Sequence, residues 1–341
     1  MTARPMRIGP FDTDRAVLVV AEIGNNHEGS LERARQLVRE AASCGADAVK
    51  CQTFRTRLFV SPADAARYER MSRFELSPEA FAELSALARS LGLLFLSTPL
   101  DLESAAALEP LVDAYKIASG DNDFFPLIAR VCETGRPLLV STGLTDLAGV
   151  LRTTALIGER WRAGGIDGEL GLLHCVSSYP APIEEANLAA IGVLQRACGV
   201  TVGYSDHTLG IETCVLAVAA GARIIEKHFT LDKRLSDFRD HQLSADPEEF
   251  RRLVRDVKRA AAIVGAAIKE PQPSETPGLT QFRRSIVAAA HLDRAHVITG
   301  ADLMWLRPAG GLPPGEESRL IGRRLRRAVA AGEQIAAGDV E

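Results

Sequence analysis

Paired cysteines are missing from this chain. Its six cysteines, Cys44, Cys51, Cys132, Cys175, Cys198 and Cys214, lie far apart with no Cys-x-x-Cys pair. That argues against a zinc ribbon and a disulfide framework, and leads us to expect reduced thiols in a cytoplasmic protein. Basic excess is missing too: 40 Lys and Arg face 44 Asp and Glu, a net charge of −4, so a nucleic-acid partner has no electrostatic support. The run Arg323, Arg324, Arg326 and Arg327 is local and reads as a solvated helix face. Near the N-terminus the one apolar run, Ala16 to Ala21, follows Asp12 and Asp14 and is too short for a signal peptide or a membrane span. No Walker-type loop is present, so a nucleotide is not the obvious phosphate. No Gly-x-Gly-x-x-Gly follows the first expected strand, which weakens a dinucleotide fold.

What is present is ordinary globular composition, 46% hydrophobic and 25% charged over 341 residues. That length accommodates an α/β domain of about 250 residues and a small second domain. Short β-rich runs alternate with longer amphipathic segments through eight cycles. The expected strands are 17–23, 48–53, 93–97, 114–118, 137–141, 170–176, 200–203 and 223–229, each mostly apolar as strands buried on both faces should be. Helices are expected over 31–43, 78–91, 184–197 and 247–264, with Ser77 and Pro78 as an N-cap and first-turn proline. Eight β-then-α units in about 265 residues fit a (β/α)₈ TIM barrel over 1–266 better than a doubly wound sheet. Three prolines within 269–278 suggest a linker, placed at 267–281, which if extended at about 3.1 Å per residue would reach some 30 Å. Residues 282–341 then form a compact domain of short strands.

The catalytic face of such a barrel lies at the C-terminal ends of its strands. There this chain places Glu22, then Lys50 and Gln52, then Thr98, then Lys116, Ser119 and Asp121. Ser141, then Ser177 and Tyr179, then Ser205 and His207, then Glu226 and His228 complete the set. Two lysines among hydroxyls suit a dianionic phosphate and a carboxylate, although each lysine could instead pair with a nearby acid. His207 and His228 end adjacent strands and can converge on one ion, leaving coordination positions open. Oxygen donors beside so few protein ligands suit Mn²⁺ or Mg²⁺ better than a closed zinc site. Glu22 could orient a water or take its proton, or simply hold a loop. Glu226, two residues before His228, would support a ligand or a lysine from deeper in the barrel. His27 and His174 read as locally hydrogen-bonded residues.

These segments, AEIGNNHEG, VKCQTF, STPLD, YKIASGD, STG, HCVSSYPAP, GYSDHT, EKHFTLDK and DHQLSADPEEF, resemble the sialic acid synthase family from about residue 18 onward. Those enzymes are phosphoenolpyruvate-dependent synthases of nine-carbon 2-keto sugar acids. RRSIVAAAHL, VITGADLMWLRPAGG and IGRRLRRAVAAGEQI are similar to the SAF, or antifreeze-like, domain of the same family. The resemblance implies that Lys50, Thr98, Lys116, Ser119, Ser141, Ser177 and Ser205 hold phosphoenolpyruvate. It implies that His207 and His228 bind a divalent ion, usually Mn²⁺, and that Glu22 positions or activates water. Gln52, Asp121, Tyr179 and Asp240 would contact an N-acyl sugar, and Arg307 would reach its acyl group from the partner chain of a domain-swapped homodimer. Three departures lie on the acceptor side: Asp121 stands where glutamate is usual, Cys51 where phenylalanine is common, and Phe238–Arg239 where Gly-Pro is usual. Three alternatives stay open: another phosphoenolpyruvate-dependent aldol synthase on a different or phosphorylated sugar, a Schiff-base aldolase, and a non-catalytic carbohydrate-binding protein.

Overall fold

The described chain, residues 4–341 of a computed structural model, opens with a hairpin that composition did not announce, β1 (Arg7–Ile8) and β2 (Phe11–Asp12), turned at Gly9–Pro10. Met6 and Ile8 are fully buried against Leu18, Leu94, Leu139, Leu173 and Ile224, so the hairpin's apolar side chains fill the lumen at the start of the strands that follow.

Those strands are β3 (Leu18–Gly24), β4 (Ala48–Thr53), β5 (Leu94–Pro99), β6 (Ala114–Ile117), β7 (Leu138–Ser141), β8 (Leu170–His174), β9 (Thr201–Asp206) and β10 (Ile224–His228). All pair in parallel and β10 returns to β3, closing the barrel. Helices alternate with them: α1 (Leu31–Ser43), α2 (Thr56–Phe59), α3 (Ala65–Phe74), α4 (Pro78–Ser90), α5 (Leu102–Leu108), α6 (Phe125–Cys132), α7 (Leu147–Gly164), α8 (Ala190–Cys198), α9 (Glu212–Ala219), α10 (Arg239–Leu243) and α11 (Pro247–Val264). Side chains alternate strictly. Val19, Val49, Phe95, Tyr115, Leu172 and Ile225 pack outward against helices. Leu18, Val20, Ala48, Leu96 and Ala114 point into the lumen. The same period carries Glu22, Lys50, Thr98, Lys116, Ser205, Glu226 and His228 inward at the strands' far ends.

Three expectations need correction. The run Arg323 to Arg327 is not a helix face: Arg324 and Leu325 form β-bridges with Val297 and Val340. The helix expected over 184–197 is only Ala190–Cys198, preceded by a 3₁₀ turn at Ile183–Glu185. Pro180 and Pro182 keep the chain extended, and Asn187 at φ +42° breaks any continuous helix. The stretch 267–281 is not an extended tether either. A 3₁₀ turn (Pro273–Glu275) and the helix α12 (Thr276–Gln281) occupy its second half, with Pro277 in the first turn, where its missing N–H costs no helical bond. A helical rise of about 1.5 Å per residue shortens the 30 Å reach.

The chain divides into two compact units, Met1–Gly265 and Ala266–Glu341. The second carries the antiparallel pair β11 (Ser285–Ala288) and β12 (Leu303–Leu306). Its own small core includes Ile286, Leu292, Ile298, Leu320, Leu325, Val329 and Ile335. Among the described residues no helix is long and apolar enough to cross a membrane.

Candidate active site

Four charged side chains meet at the mouth of the lumen. Lys50 Nζ lies 3.0 Å from Glu22 Oε2 and 3.5 Å from Glu226 Oε2, and donates to Thr98 Oγ1 at 3.2 Å. Lys116 Nζ donates to Glu226 Oε1 at 3.1 Å, and Ser205 Oγ donates to the same oxygen at 2.8 Å. Both lysines thus do pair with acids, the simpler of the two readings, and Glu226 is the shared partner that braces them. All four side chains are almost wholly buried.

The electrostatics of the four differ. Burial opposes the charge of Glu226, but Lys116 and Lys50 outweigh it and hold the carboxyl down at about 2. Burial dominates at Glu22, where it outweighs Lys50 and pushes the carboxyl up to about 6. Lys50 is driven the other way: burial lowers it, and Glu22 and Glu226 more than restore it. Lys116 stays lowered, because burial exceeds the pull of Glu226. Its ammonium is the under-compensated charge of the group, and an anion beside it would lower the cost of burying it.

Hydroxyls gather next to this cluster. Ser119 Oγ and Cys175 Sγ are 2.9 Å apart, and Ser177 Oγ is buried with no hydrogen-bond partner among the described residues. A Cβ added to Gly143 would lie 2.3 Å from Ser177 Oγ and 2.7 Å from Ser119 Oγ. Gly143, two residues past β7, therefore has to be this small for the two hydroxyls to converge. Ser141, at the end of β7, is buried, and its carbonyl accepts from Asn122 Nδ2 at 3.3 Å.

The rings of His207 and His228 have centroids 5.5 Å apart. His207 Nδ1 lies 2.7 Å from the carbonyl of Val176, which assigns the proton to Nδ1 and leaves the Nε2 lone pair available. Burial pushes His207 down to about 4 and His228 well below the ordinary value, so both imidazoles are neutral, the form that ligates metals. His228 Nδ1 is buried without a hydrogen-bond partner among the described residues. No group of three or more His, Cys, Asp or Glu is placed to hold a metal among the described residues. Two neutral nitrogens with further positions left for water or substrate nonetheless fit an open divalent site.

Outside the histidines lies a cavity of about 960 Å³, lined by Gln52, Tyr179, His228 and Asp240 among others. Gln52 connects it to the charged cluster: Nε2 donates to Glu22 Oε1 at 3.3 Å, and Oε1 accepts from Asn25 Nδ2 at 2.7 Å. The Tyr179 ring is 4.2 Å from that of His207 and stands under the Arg239 guanidinium at 4.8 Å. Asp121 is half-buried and does not line this cavity; burial and the neighbouring Asp123 push its carboxyl up to about 6. Arg307 is exposed in the second unit, just past β12. His27 and His174 are held locally, His27 Nδ1 by the N–H of Gly29 at 3.0 Å and His174 Nε2 at 2.9 Å from the carbonyl of Ala186.

Sequence reading missed two features. One is the insertion of α2 and α3 after β4, which brings Phe59, Arg67, Arg70, Arg73 and Phe74 to the cavity wall. Asp64 as N-cap and the spacing of Arg67, Met71 and Phe74 were its signal. The other is the outward-facing pair Asp206 and Lys227, 2.7 Å apart and buried beneath α9. The alternation Glu226–Lys227–His228 was its signal, since one of three consecutive polar residues had to face the helices.

Comparison with known proteins agrees with this arrangement. Residues 37–269 match the NeuB family model and residues 283–341 the SAF domain. An N,N'-diacetyllegionaminic acid synthase from Legionella pneumophila is 38% identical, covering 96% of each chain. A pseudaminic acid synthase from Campylobacter jejuni is 31% identical over 98% of this chain and all of its own. The crystal structure of an N-acetylneuraminic acid (sialic acid) synthetase from Leptospira borgpetersenii superposes with a TM-score of 0.76 at 32% identity. It covers 81% of this chain and 95% of its own.

Proposed function

The chain belongs to the NeuB family of sialic-acid-synthase enzymes, and from that premise we propose that it condenses phosphoenolpyruvate with an N-acyl-hexosamine aldehyde to give a nonulosonic acid and phosphate. The observation that carries this reading is the continuity of its two halves. Gln52 lines the cavity outside the histidines and bonds Glu22, which pairs with Lys50 in the cation and hydroxyl cluster.

Each residue then has a task. Lys116, Lys50, Thr98, Ser119, Ser141, Ser177 and Ser205 receive the phosphate and carboxylate, and Glu226 keeps the two ammonium groups apart and aimed. Gln52, Tyr179 and Asp240 orient the acceptor so that its carbonyl carbon faces C3 of phosphoenolpyruvate. His207 and His228 would hold a divalent ion, Mn²⁺ being the expected one, which when bound supplies Lewis-acid polarisation of that carbonyl. A bond forms between C3 and the carbonyl carbon, and the carbonyl oxygen becomes the new hydroxyl. C2 is left electron-poor, water adds there, and Glu22, whose carboxyl burial pushes up to about 6, takes the water's proton. The C2–O bond to the phosphate breaks, the proton of the added C2 hydroxyl leaves with the phosphate, and the proton taken by Glu22 passes to the new hydroxyl, leaving the 2-keto acid.

A homodimer in which Arg307 of a second copy contacts the sugar completes the proposal. Among its relatives the chain has synthases of both legionaminic and pseudaminic acid, so the acyl pattern of the sugar is left to experiment. The test is phosphate release from phosphoenolpyruvate against a panel of N-acylated hexosamines, with and without Mn²⁺. Release that requires both sugar and metal supports the reading; release of pyruvate, or indifference to the sugar, contradicts it.

A further inference from the structure

The segment that leads from β10 into α10 is held on both sides. Phe238 packs edge-on against Phe74 of α3, with 5.1 Å between ring centroids, beside Phe54, Met71 and Leu100. His241 is fully buried, with Nδ1 2.7 Å from Thr230 Oγ1, and Ser244 Oγ donates to the Asp240 carbonyl at 2.5 Å. Arg239 and Asp240 lie between these anchors, so the backbone that aims their side chains is fixed. Both line the cavity outside the histidines.

Arg239 has two partners there. Its guanidinium carbon stands 4.8 Å from the centre of the Tyr179 ring, and that ring is 4.2 Å from the ring of His207. Its Nε is 3.4 Å from Asp240 Oδ1, and among the described residues no other cation lies within ion-pair distance of that carboxylate. Asp240 is only 7% exposed, and its Oδ1 has no hydrogen-bond partner among the described residues. A carboxylate this buried, beside a cavity and short of donors, is placed to receive one from a ligand. Without a neighbouring cation it would also draw in any ammonium group. Arg239 cancels that attraction. A guanidinium presents donors only, which suit carbonyl and hydroxyl oxygens, and its charge repels an ammonium.

We propose that Arg239 is a specificity-determining residue for the acceptor: by neutralising Asp240 and offering donors alone, it admits a neutral N-acyl sugar and excludes the protonated amino sugar. This rests on the reaction proposed above, which sets the aldehyde at His207 and His228. In a 2-amino hexose the nitrogen sits on the carbon next to that aldehyde. Tyr179, in contact with His207, and its neighbour Arg239 are the next groups outward along this wall. An acyl carbonyl there accepts from the guanidinium, and the amide carries no charge for Asp240 to attract. The selection thus joins a repulsive element to an attractive one.

The experiment compares N-acetylmannosamine with mannosamine, at a pH where the free amine is largely protonated. Turnover with phosphoenolpyruvate and Mn²⁺ and direct binding by calorimetry are both measured, on the wild type, Arg239→Gln and Arg239→Lys. The wild type should favour N-acetylmannosamine. In Arg239→Gln the ratio between the two sugars should fall about tenfold, the N-acyl sugar weakening and the amine tightening as one charge interaction changes for each. Arg239→Lys keeps the charge and should keep most of the ratio, while the KM for phosphoenolpyruvate stays within about twofold in both variants. A ratio unchanged in Arg239→Gln, a Lys variant as impaired as the Gln one, or a phosphoenolpyruvate KM that moves as far as the sugar's overturns the assignment. Turnover of N-acetylmannosamine with an unchanged ratio leaves the reaction standing and removes the role of Arg239. A ratio that falls in binding, without turnover of either sugar, keeps that role and removes the reaction. Binding of neither sugar by the wild type removes both.

Discussion

Lys227→Met tests how the two histidine-bearing strands are held. Lys227 is 1% exposed and Asp206 not at all, and their ion pair measures 2.7 Å. Nζ also donates to the carbonyl of Thr208 at 2.6 Å, so it links β10 to both sides of His207. Removing one partner of such a buried pair costs about 3–5 kcal/mol, because the other charge stays desolvated. Asp206 keeps three donors, Thr208 N–H at 2.9 Å, Tyr204 O–H at 3.1 Å and Cys214 S–H at 3.3 Å. The loss should therefore fall at the lower end, about 3 kcal/mol at neutral pH. Adding Asp206→Asn removes the stranded charge, and the double variant should recover more than half of that.

The pH dependence supplies a second check with a definite sign. In the wild type, burial raises Asp206 but Lys227 outweighs it and holds the carboxyl below its ordinary value. That pairing stabilises the fold above the ordinary carboxylate range and is lost as pH falls through the depressed value. Without Lys227, only the remaining hydrogen bonds oppose burial and the folded value rises, so the variant gains relative stability as pH falls. Urea unfolding followed by far-ultraviolet circular dichroism should show the gap narrowing from neutral to mildly acidic pH. A loss under about 1 kcal/mol, or a gap constant in pH, would show that the pair is solvated and that the argument from burial fails.

Chelation should abolish phosphate release and added Mn²⁺ restore it, while His207→Ala and His228→Ala each lose the metal-dependent turnover; full activity in chelator would bring back the Schiff-base alternative. Lys116→Ala should weaken phosphoenolpyruvate binding by roughly 2–5 kcal/mol and acceptor binding far less, read from the two KM values; equal losses would indicate a structural role. Gly143→Ala drives a methyl into Ser177 and Ser119 and should raise the KM for phosphoenolpyruvate about tenfold, near 1.4 kcal/mol; an unchanged KM would detach those hydroxyls from the substrate. Mixing Lys116→Ala with Arg307→Ala under subunit exchange should return some activity if Arg307 acts in trans; proven hybrids without activity would refute that.

The barrel was legible because eight mostly apolar runs alternate with amphipathic segments, and because a strand's side chains alternate faces whatever their hydropathy. Ala48–Thr53 matched to the residue, and the other strand ends shifted by at most three positions, where hydrogen bonding rather than hydropathy sets the boundary. The polar strand ends were legible for the same reason: alternation sends Glu22, Lys50, Lys116 and Glu226 into one lumen. What a single sequence hides is pairing across strands. That Glu226 braces both lysines, or that Lys227 answers Asp206, follows from the closed register of β9, β10 and β3, which no local pattern encodes. The α3 wall was hidden for a different reason. It belongs to a βα loop, and loop conformation places Arg67, Arg70 and Arg73 over the cavity, whereas helical periodicity alone assigns them to solvent. Asp121 is the opposite case: a motif position set it among the expected sugar contacts, and the structure places it half-buried, off the wall of this cavity.

The most direct measurement follows the bridging oxygen of phosphoenolpyruvate. Substrate labelled with ¹⁸O at the C2–O–P position is turned over with Mn²⁺ and the best acceptor, and both products are examined by mass spectrometry. Condensation with C–O cleavage predicts a nine-carbon 2-keto acid and phosphate in equal amounts, with the label wholly in phosphate. Label in the keto acid, or pyruvate in place of the nine-carbon product, would contradict it.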